Sequence, residues 1–220
     1  EYRQKNKNSS FILDFAYIDG YKSSLENKKN SISHLFANYE VDLKWENFTN
    51  SNFFLSLKKV SNDTYLKIFD GSIFKSDVIP TNYDLLTSEA KLILDNENYN
   101  FAAGFQSFEN LSLSSSDRYQ FILPYYNFDT QIFDFYENGF INFSSTGSND
   151  LNNTNNLKTK IINDINYKSL DLILNNGLKN GYNVYLKNLN TIGKNDSTYK
   201  SSPQMELMSI FEFNSSLPLV

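Results

Sequence analysis

Strict alternation of apolar and polar residues, repeated along almost the whole chain, is the feature that most limits its fold. The clearest case is residues 35–45, LFANYEVDLKW. One parity of this stretch is apolar: Leu35, Ala37, Tyr39, Val41, Leu43 and Trp45. The other parity carries Asn38, Glu40, Asp42 and Lys44. Because successive side chains of a β-strand point to opposite faces, this pattern predicts a strand with one apolar and one polar face.

The same alternation recurs in further segments, whereas helical spacing is nowhere sustained. The segments are residues 11–19, 85–95, 99–108, 118–128, 131–143, 157–167 and 205–213. Their polar parities carry Glu89, Lys91, Lys158, Lys160 and Asp164. About ten strands result, many close to the ~9–11 residues that a tilted strand needs to cross a bilayer.

Three connecting segments complete the predicted meander. Residues 96–98 predict a tight hairpin turn, and the Ser/Asn-rich residues 144–156 predict a loop. Residues 170–186 allow two interpretations. Asn176-Gly177 is typical of a hairpin turn, but the apolar residues keep one parity throughout, which fits a single long strand equally well.

Composition excludes several classes of function. The chain has no cysteine, so disulfides and thiolate metal sites are excluded, and its one histidine is His34. The net charge of −5 and the lack of a basic block argue against nucleic-acid binding. No stretch approaches the ~18 apolar residues of a membrane helix, so any contact with lipid must be made by a closed sheet.

Candidate chemical groups are few. His34 lies on the polar parity, where we expect a solvated or lumenal side chain. Glu40 and Asp42 share a face, as paired glycosidase carboxylates can. Lys44 is on the same parity, so we interpret this face as an ordinary charged surface. Phosphate loops, serine elbows and calcium loops are not recognisable, so we expect no enzymatic activity, no cofactor and no metal.

An amphipathic meander suits either a soluble β-sandwich or a membrane barrel. Three features favour the barrel. The strands are longer than the ~5–6 residues typical of soluble sheets. Rings lie near the strand ends: Tyr17, Trp45, Tyr99, Tyr119 and Tyr167. Charges largely avoid the apolar parity, where Lys or Arg at mid-membrane costs about 2–4 kcal/mol. We therefore expect an all-β antiparallel meander of long strands, part of a large transmembrane outer-membrane β-barrel with its polar face toward the lumen.

Three motifs, in order, resemble the LPS-assembly outer-membrane protein family, LptD, also called organic solvent tolerance protein. The first is VSNDTY at residues 60–65, with Val60, Ser61, Asp63 and Tyr65 as the family positions. The second is Gln106-Ser107-Phe108, and the third is the Pro124-containing LPYY at residues 123–126. The resemblance extends over residues 1–220.

The resemblance implies that residues 1–220 form a partial barrel wall. The signal peptide, a periplasmic jelly-roll domain and the N- and C-terminal barrel strands would lie outside this segment. The expected location is the outer membrane of a Gram-negative bacterium.

The function implied is insertion of lipopolysaccharide into the outer leaflet. The partners implied are lipopolysaccharide, outer-membrane lipid, an LptE-like plug lipoprotein, and a periplasmic jelly-roll bridge protein that meets the missing N-terminal domain. Two alternatives stay open: another outer-membrane barrel, such as a porin or receptor, or a soluble β-sandwich that acts as an adhesin or carbohydrate-binding module.

Overall fold

The computed structural model describes residues 1–22, 29–69, 77–113, 117–133 and 138–217. These form twelve strands and one helical turn. The strands are β1 (Tyr2–Lys5), β2 (Ser9–Lys22), β3 (Lys29–Asp42), β4 (Asn50–Val60), β5 (Leu85–Asp95), β6 (Tyr99–Asn110), β7 (Tyr119–Phe133), β8 (Gly139–Asn152), β9 (Asn156–Ser169), β10 (Leu172–Ile173), β11 (Lys179–Lys194) and β12 (Gln204–Ser216). The helical turn, α1 (Tyr65–Ile68), lies between β4 and β5.

All strands belong to one antiparallel sheet in which each long strand pairs with the next along the chain. β11 pairs with β9 and the short β10 on one side and with β12 on the other. Among the described residues β1 and β12 occupy opposite edges and do not pair with each other, so the sheet is not closed. The prediction of an all-β antiparallel meander is confirmed.

The two ends of the sheet differ. We call one the turn end, where the predicted hairpin turn at residues 96–98 joins β5 to β6. The other, the loop end, carries the longer β4–β5 connection with α1. In this connection, residues 61–69 and 77–84, here called the strap, fold back over one face of the sheet.

Three predicted boundaries are wrong. The segments 118–128 and 131–143 do not form one strand each: β7 continues to Phe133 and β8 begins at Gly139, with residues 134–137 outside the described part of the chain. β3 ends at Asp42, so Leu43, Lys44 and Trp45 lie beyond the strand. Lys44 has a φ of 51°, and its backbone N–H donates to the Asp42 carboxylate at 3.0 Å, which turns the chain away from the sheet.

The Ser/Asn-rich segment predicted as a loop is mostly strand, since β8 continues to Asn152. Its small polar side chains bond across to the neighbouring strand, as between Thr159 and Asn149 at 2.7 Å. Cross-strand pairing therefore outweighs the turn propensity of serine and asparagine.

The face of the tyrosines in β7 changes at Pro124. Pairing of β7 with both neighbours shifts between Ile122 and Tyr125. Tyr119 and Phe121 therefore share a face with Tyr126, whereas Tyr125 points to the opposite face. Alternation along residues 118–128 predicts Tyr125 on the same face as Tyr119, and the register shift makes this prediction wrong.

The open question over residues 170–186 is resolved as a hairpin. Leu172 and Ile173 pair with Asn180 and Lys179. The turn between them contains Gly177 at a φ of 82°, a conformation that favours glycine.

The apolar core is small and lies under the strap. Ile32, Phe36 and Val60 of the sheet pack with three strap residues. Those strap residues are Tyr65, Leu66 and Val78, and Leu86 and Leu111 complete the cluster. Phe36 and Leu66 are fully buried. The strap therefore creates a local core on a sheet that is otherwise a single layer.

Candidate functional site

One face of the sheet, here called the polar face, gathers the predicted polar residues. Cross-strand pairs connect them in one row: Asn38, Ser56, Glu89, Gln106, Ile122, Asp150 and Lys158. A second row runs from Glu40 through Phe54 to Lys91. Lys160 and Asp164 have the parity of Lys158 in β9, and Asp42 has that of Glu40 in β3. Eight of the nine predicted polar candidates thus share a face, and Lys44 alone lies outside the strands.

Glu89, in the middle of the polar face, accepts two side-chain hydrogen bonds. Its Oε1 accepts a hydrogen bond from the Tyr125 hydroxyl at 2.6 Å and one from the Gln106 amide at 2.8 Å. Gln106, a family-motif position, therefore has a definite partner. These two bonds join β5, β6 and β7 across the polar face.

The two predicted carboxylates border a polar cavity of about 350 Å³ near the turn end. Glu40 and Asp42 line it together with Lys5 and Lys7. The remaining lining residues are also polar: Asn6, Asn8, Ser9, Ser10, Thr49, Asn50 and Asn52. Mixed charges on an open, wet surface fit the interpretation of an ordinary charged face better than a glycosidase pair.

The opposite face, here called the apolar face, is largely uncovered. Phe15 is 58% exposed, Phe105 52% and Phe211 67%. Leu35, Tyr39 and Val41 lie on this face as predicted, paired with Phe15, Phe11 and Ser9 of β2. Leu43 and Trp45, predicted on the same face, belong to the turn after β3.

Aromatic rings form a chain along the turn end of this face. Successive ring centroids are 6.0–6.1 Å apart in the series Trp45, Phe48, Tyr99, Phe128 and Phe143. A second group continues on β9, β11 and β12 with Tyr167, Tyr182 and Phe211, spaced by 5.6 and 6.3 Å. We call these two groups of rings the ring belt. It includes three of the rings predicted near strand ends: Trp45, Tyr99 and Tyr167.

At the loop end, the apolar face gives way to a charged cluster around Glu109. This carboxylate accepts from Lys59 Nζ at 2.7 Å and from the Tyr119 hydroxyl at 2.9 Å, and Arg118 Nε lies 2.9 Å away. Arg118 also pairs with the family-motif residue Asp63 of the strap. Burial is the largest single influence on the pKa of Arg118, and it lowers this pKa. The hydrogen bond and ion pair with Asp63 act in the opposite direction, and the net result is a raised pKa.

A polar ladder interrupts the apolar face at mid-sheet. The Tyr126 and Ser145 hydroxyls are 3.1 Å apart, and Ser145 donates to the Asn163 side-chain oxygen at 2.8 Å. Asn163 in turn donates to the Asn188 side-chain oxygen at 3.1 Å. The ladder therefore joins β7, β8, β9 and β11, and its members supply one another with partners.

His34 is buried rather than solvated, which corrects the prediction. It lies on the polar face but is only 4% exposed because the strap covers it. Its Nδ1 is 2.8 Å from the Tyr65 hydroxyl, and its Nε2 is 3.3 Å from Asp14 Oδ1. The imidazole also stacks on Phe36 with the ring planes 11° apart.

The positions of the three motifs lie at strand ends, in the strap or close to register shifts. Val60 ends β4, Ser61 and Asp63 begin the strap, and Tyr65 opens α1. Gln106 bonds Glu89, and Pro124 lies at the register shift of β7. Sequence reasoning missed the strap core and the polar ladder. Tyr65 in the motif was the available signal for the former, whereas the ladder depends on register.

Two features are absent from the part of the chain that the structure describes. No group of three or more His, Cys, Asp or Glu side chains is arranged to hold a metal ion. No helix in this part of the chain is long and apolar enough to cross a membrane.

No family model matches the sequence, and no curated protein matches it either.

Proposed function

We propose that this sheet is part of the wall of an outer-membrane β-barrel, with its apolar face toward lipid and its polar face toward a water-filled lumen. The observation that carries the proposal is the exposed apolar face, which no second layer covers among the described residues. A soluble sandwich buries such a face against another sheet. Contiguous exposed apolar surface of this kind marks contact with a membrane or a protein.

The height of the apolar face supports a membrane span. Along β6 it extends from the ring belt at Tyr99 to the charged cluster at Glu109. At ~3.3 Å per residue and a tilt of about 40°, these ten steps rise about 25 Å, the height of the apolar band of outer-membrane barrels. Aromatic residues at the border of that band are typical of the membrane interface.

The sheet edges also support a barrel. β1 covers β2 only from Ser10 to Leu13, and the outer edge of β12 has no partner among the described residues. Exposed edges promote aggregation, and closure into a barrel removes them. In this proposal other strands of the same barrel pair with these two edges.

The proposed activity is delivery of lipopolysaccharide to the outer leaflet, which rests on the resemblance to the LptD family. An LptE-like plug lipoprotein would contact the polar face, and a periplasmic jelly-roll bridge protein would supply the lipid. Two of the motif residues hold strand ends together, through Asp63 with Arg118 and Tyr65 with His34. The chain would serve as barrel wall, without catalytic chemistry.

A soluble adhesin or carbohydrate-binding module is the second candidate, favoured by the polar ladder. Amide side chains such as Asn163 are costly in lipid unless they are bonded. Because the ladder is internally bonded, a lipid environment is tolerable. A protein-covered face would tolerate it as well, so an accessibility measurement must separate the two candidates.

Neighbouring alanines on β6 provide that measurement. Ala102 lies on the polar face opposite Ile93, and Ala103 on the apolar face opposite Leu92. Since the chain has no cysteine, Ala102→Cys and Ala103→Cys each offer a single site for a spin label in the membrane-embedded protein. We expect the label at 103 to be relaxed by oxygen in lipid and the label at 102 by a water-soluble nickel complex. Water access at both positions would reject the barrel.

The transport role is tested separately by depletion of the protein from cells. We expect less lipopolysaccharide at the cell surface, measured by labelling intact cells. Unchanged surface lipopolysaccharide, together with a lipid-exposed label at position 103, would reject LPS delivery and leave another barrel function, such as a porin or receptor.

A further inference from the structure

The strap rests on the sheet through one buried polar connection within an apolar core. His34, Asp14 and Tyr65 are 4%, 8% and 3% exposed. They come from β3, β2 and α1, so the connection joins two strands to the strap. Phe36 and Leu66 surround it with fully buried apolar side chains.

The chemistry of the three groups is complementary. Burial and the nearby Asp14 carboxylate raise the pKa of the Tyr65 hydroxyl, which therefore stays protonated and is a donor. A neutral imidazole that carries its proton on Nε2 accepts the Tyr65 O–H at Nδ1 and directs its own N–H toward Asp14. The Nε2–Oδ1 separation of 3.3 Å is an electrostatic contact without good hydrogen-bond alignment.

Other contacts hold the strap at exposed positions. Lys67 pairs with Asp84 at 2.5 Å, a bond within the strap itself. Asp77 lies 3.4 Å from Arg3, and both side chains are at least half exposed. Exposed ion pairs contribute little to stability because water and salt screen them. Asp63 of the strap also pairs with Arg118, and the Ser61 backbone and hydroxyl bond the Ser33 backbone in β3. The connection through His34 differs from these contacts because all three of its side chains are buried.

We propose that Asp14, His34 and Tyr65 form a latch that holds the strap closed over the polar face at the loop end, and that breaking the latch opens this end of the lumen to solutes. The inference rests on the proposed barrel, because only a barrel gives the polar face a lumen. The strap acts as a closure because its described residues lie over β2 to β4 on the same face as Glu40 and Lys58.

Loss of buried polar partners is the means of opening. A polar group left without its partner in an apolar core destabilises the folded state by more than its hydrogen bond contributes to stability when it is formed. The open strap exposes His34, Asp14 and Tyr65 to water, which satisfies all three. The latch is therefore weakened by removal of any one member.

The first experiment measures amide hydrogen exchange in the strap of the intact membrane-embedded protein. Tyr65→Phe keeps the ring and removes the hydroxyl, and we expect exchange of residues 61–69 to become about 2- to 10-fold faster. Tyr39→Phe on the apolar face is the matched control and leaves strap exchange unchanged. Equal exchange in Tyr65→Phe and the unaltered protein would overturn the latch.

Coupling between the latch residues tests whether they act together. Asp14→Asn and Tyr65→Phe act on opposite sides of one imidazole, so their effects on strap exchange should be non-additive. Separate packing roles would give additive effects and overturn the latch.

The second experiment measures passage of a solute through the purified protein in a planar bilayer. We expect Tyr65→Phe to raise the ion conductance or the frequency of open events at least about 2-fold, while Tyr39→Phe does not. Faster strap exchange with unchanged conductance would overturn the closure. Failure of the barrel itself is recognised independently, by water access at position 103.

Discussion

The ring of Tyr126 lies across Gly147 on the neighbouring strand, and a Cβ at this glycine would overlap the ring. On the other face, Tyr125 covers Gly104, whose Cβ would lie 2.9 Å from the tyrosine hydroxyl. Two consecutive tyrosines of β7 thus fill the space above glycines of the strands on either side. Aromatic rings that cover glycines are a known means of fixing register in β-sheets.

Substitution of Gly147 tests this packing. Gly147→Ala should displace the Tyr126 ring and lower the free energy of unfolding by about 1–3 kcal/mol, as overpacking does. Gly181→Ala is the control, because the nearest atom to its Cβ is the flexible Asp171 carboxylate at 3.1 Å. The measurement is denaturant unfolding in detergent. Equal losses in the two variants would show that the Tyr126 contact does not constrain the sheet.

The polar ladder should contribute to stability through its central amide. Asn163→Ala leaves the Ser145 hydroxyl and the Asn188 amide without one partner each, which should cost about 1–3 kcal/mol. Asn142→Ala, at an exposed position on the polar face, should change stability by less than about 0.5 kcal/mol. Thermal unfolding of both variants provides the comparison, and similar melting temperatures would exclude a stabilising ladder.

Glu109 should be a main anchor of the loop end. Its side chain is 9% exposed and interacts with Lys59, Arg118 and Tyr119. Glu109→Ala should cost up to about 3 kcal/mol, the lower range for breaking a buried pair, because Lys59 is half exposed. Asp77→Ala removes only an exposed pair with Arg3 and should leave stability nearly unchanged, because water and salt screen such pairs. A cost for Glu109→Ala no greater than that for Asp77→Ala would contradict this assignment.

Acid should loosen the β11–β12 turn through Asp196. The pKa of this carboxyl is lowered below 3.8, chiefly by a hydrogen bond from the Tyr199 backbone N–H. A hydrogen bond from the Thr198 backbone N–H and the Lys158 ammonium act in the same direction. A lowered pKa stabilises the folded turn at pH values above the unfolded pKa, and this stability is lost as the pH falls through the folded pKa. The protection factors of the amides of residues 197–200, which are exchange rates corrected for the intrinsic effect of pH, should therefore fall from pH 5 to pH 2. Asp196→Asn should remove that dependence, and an unchanged pH profile in the variant would refute it.

Alternation was sufficient to predict the strands and their faces because it is a local property. The parity of Glu40, Lys91 and Lys158 follows from spacing along each strand, and the structure places all three on one face. The tight turn at residues 96–98 was equally accessible, since its polar residues lie between two alternating segments.

Errors arose where contacts that alternation does not encode decide the outcome. Lys44 leaves the sheet because Asp42 bonds its backbone. Residues 144–152 stay in the sheet because β7 and β9 pair with them on both sides, which outweighs their turn propensity. Tyr125 changes face because the register shifts around Pro124, and parity alone cannot locate such a shift.

By itself, the sequence determined an antiparallel meander with one apolar and one polar face, because a period of two is imposed by strand geometry. Only the tertiary structure decided that the sole histidine is buried. A segment 31 residues away, centred on Tyr65, folds over His34 and replaces water with an apolar core. Strand periodicity records which face a side chain occupies, but not what later covers that face.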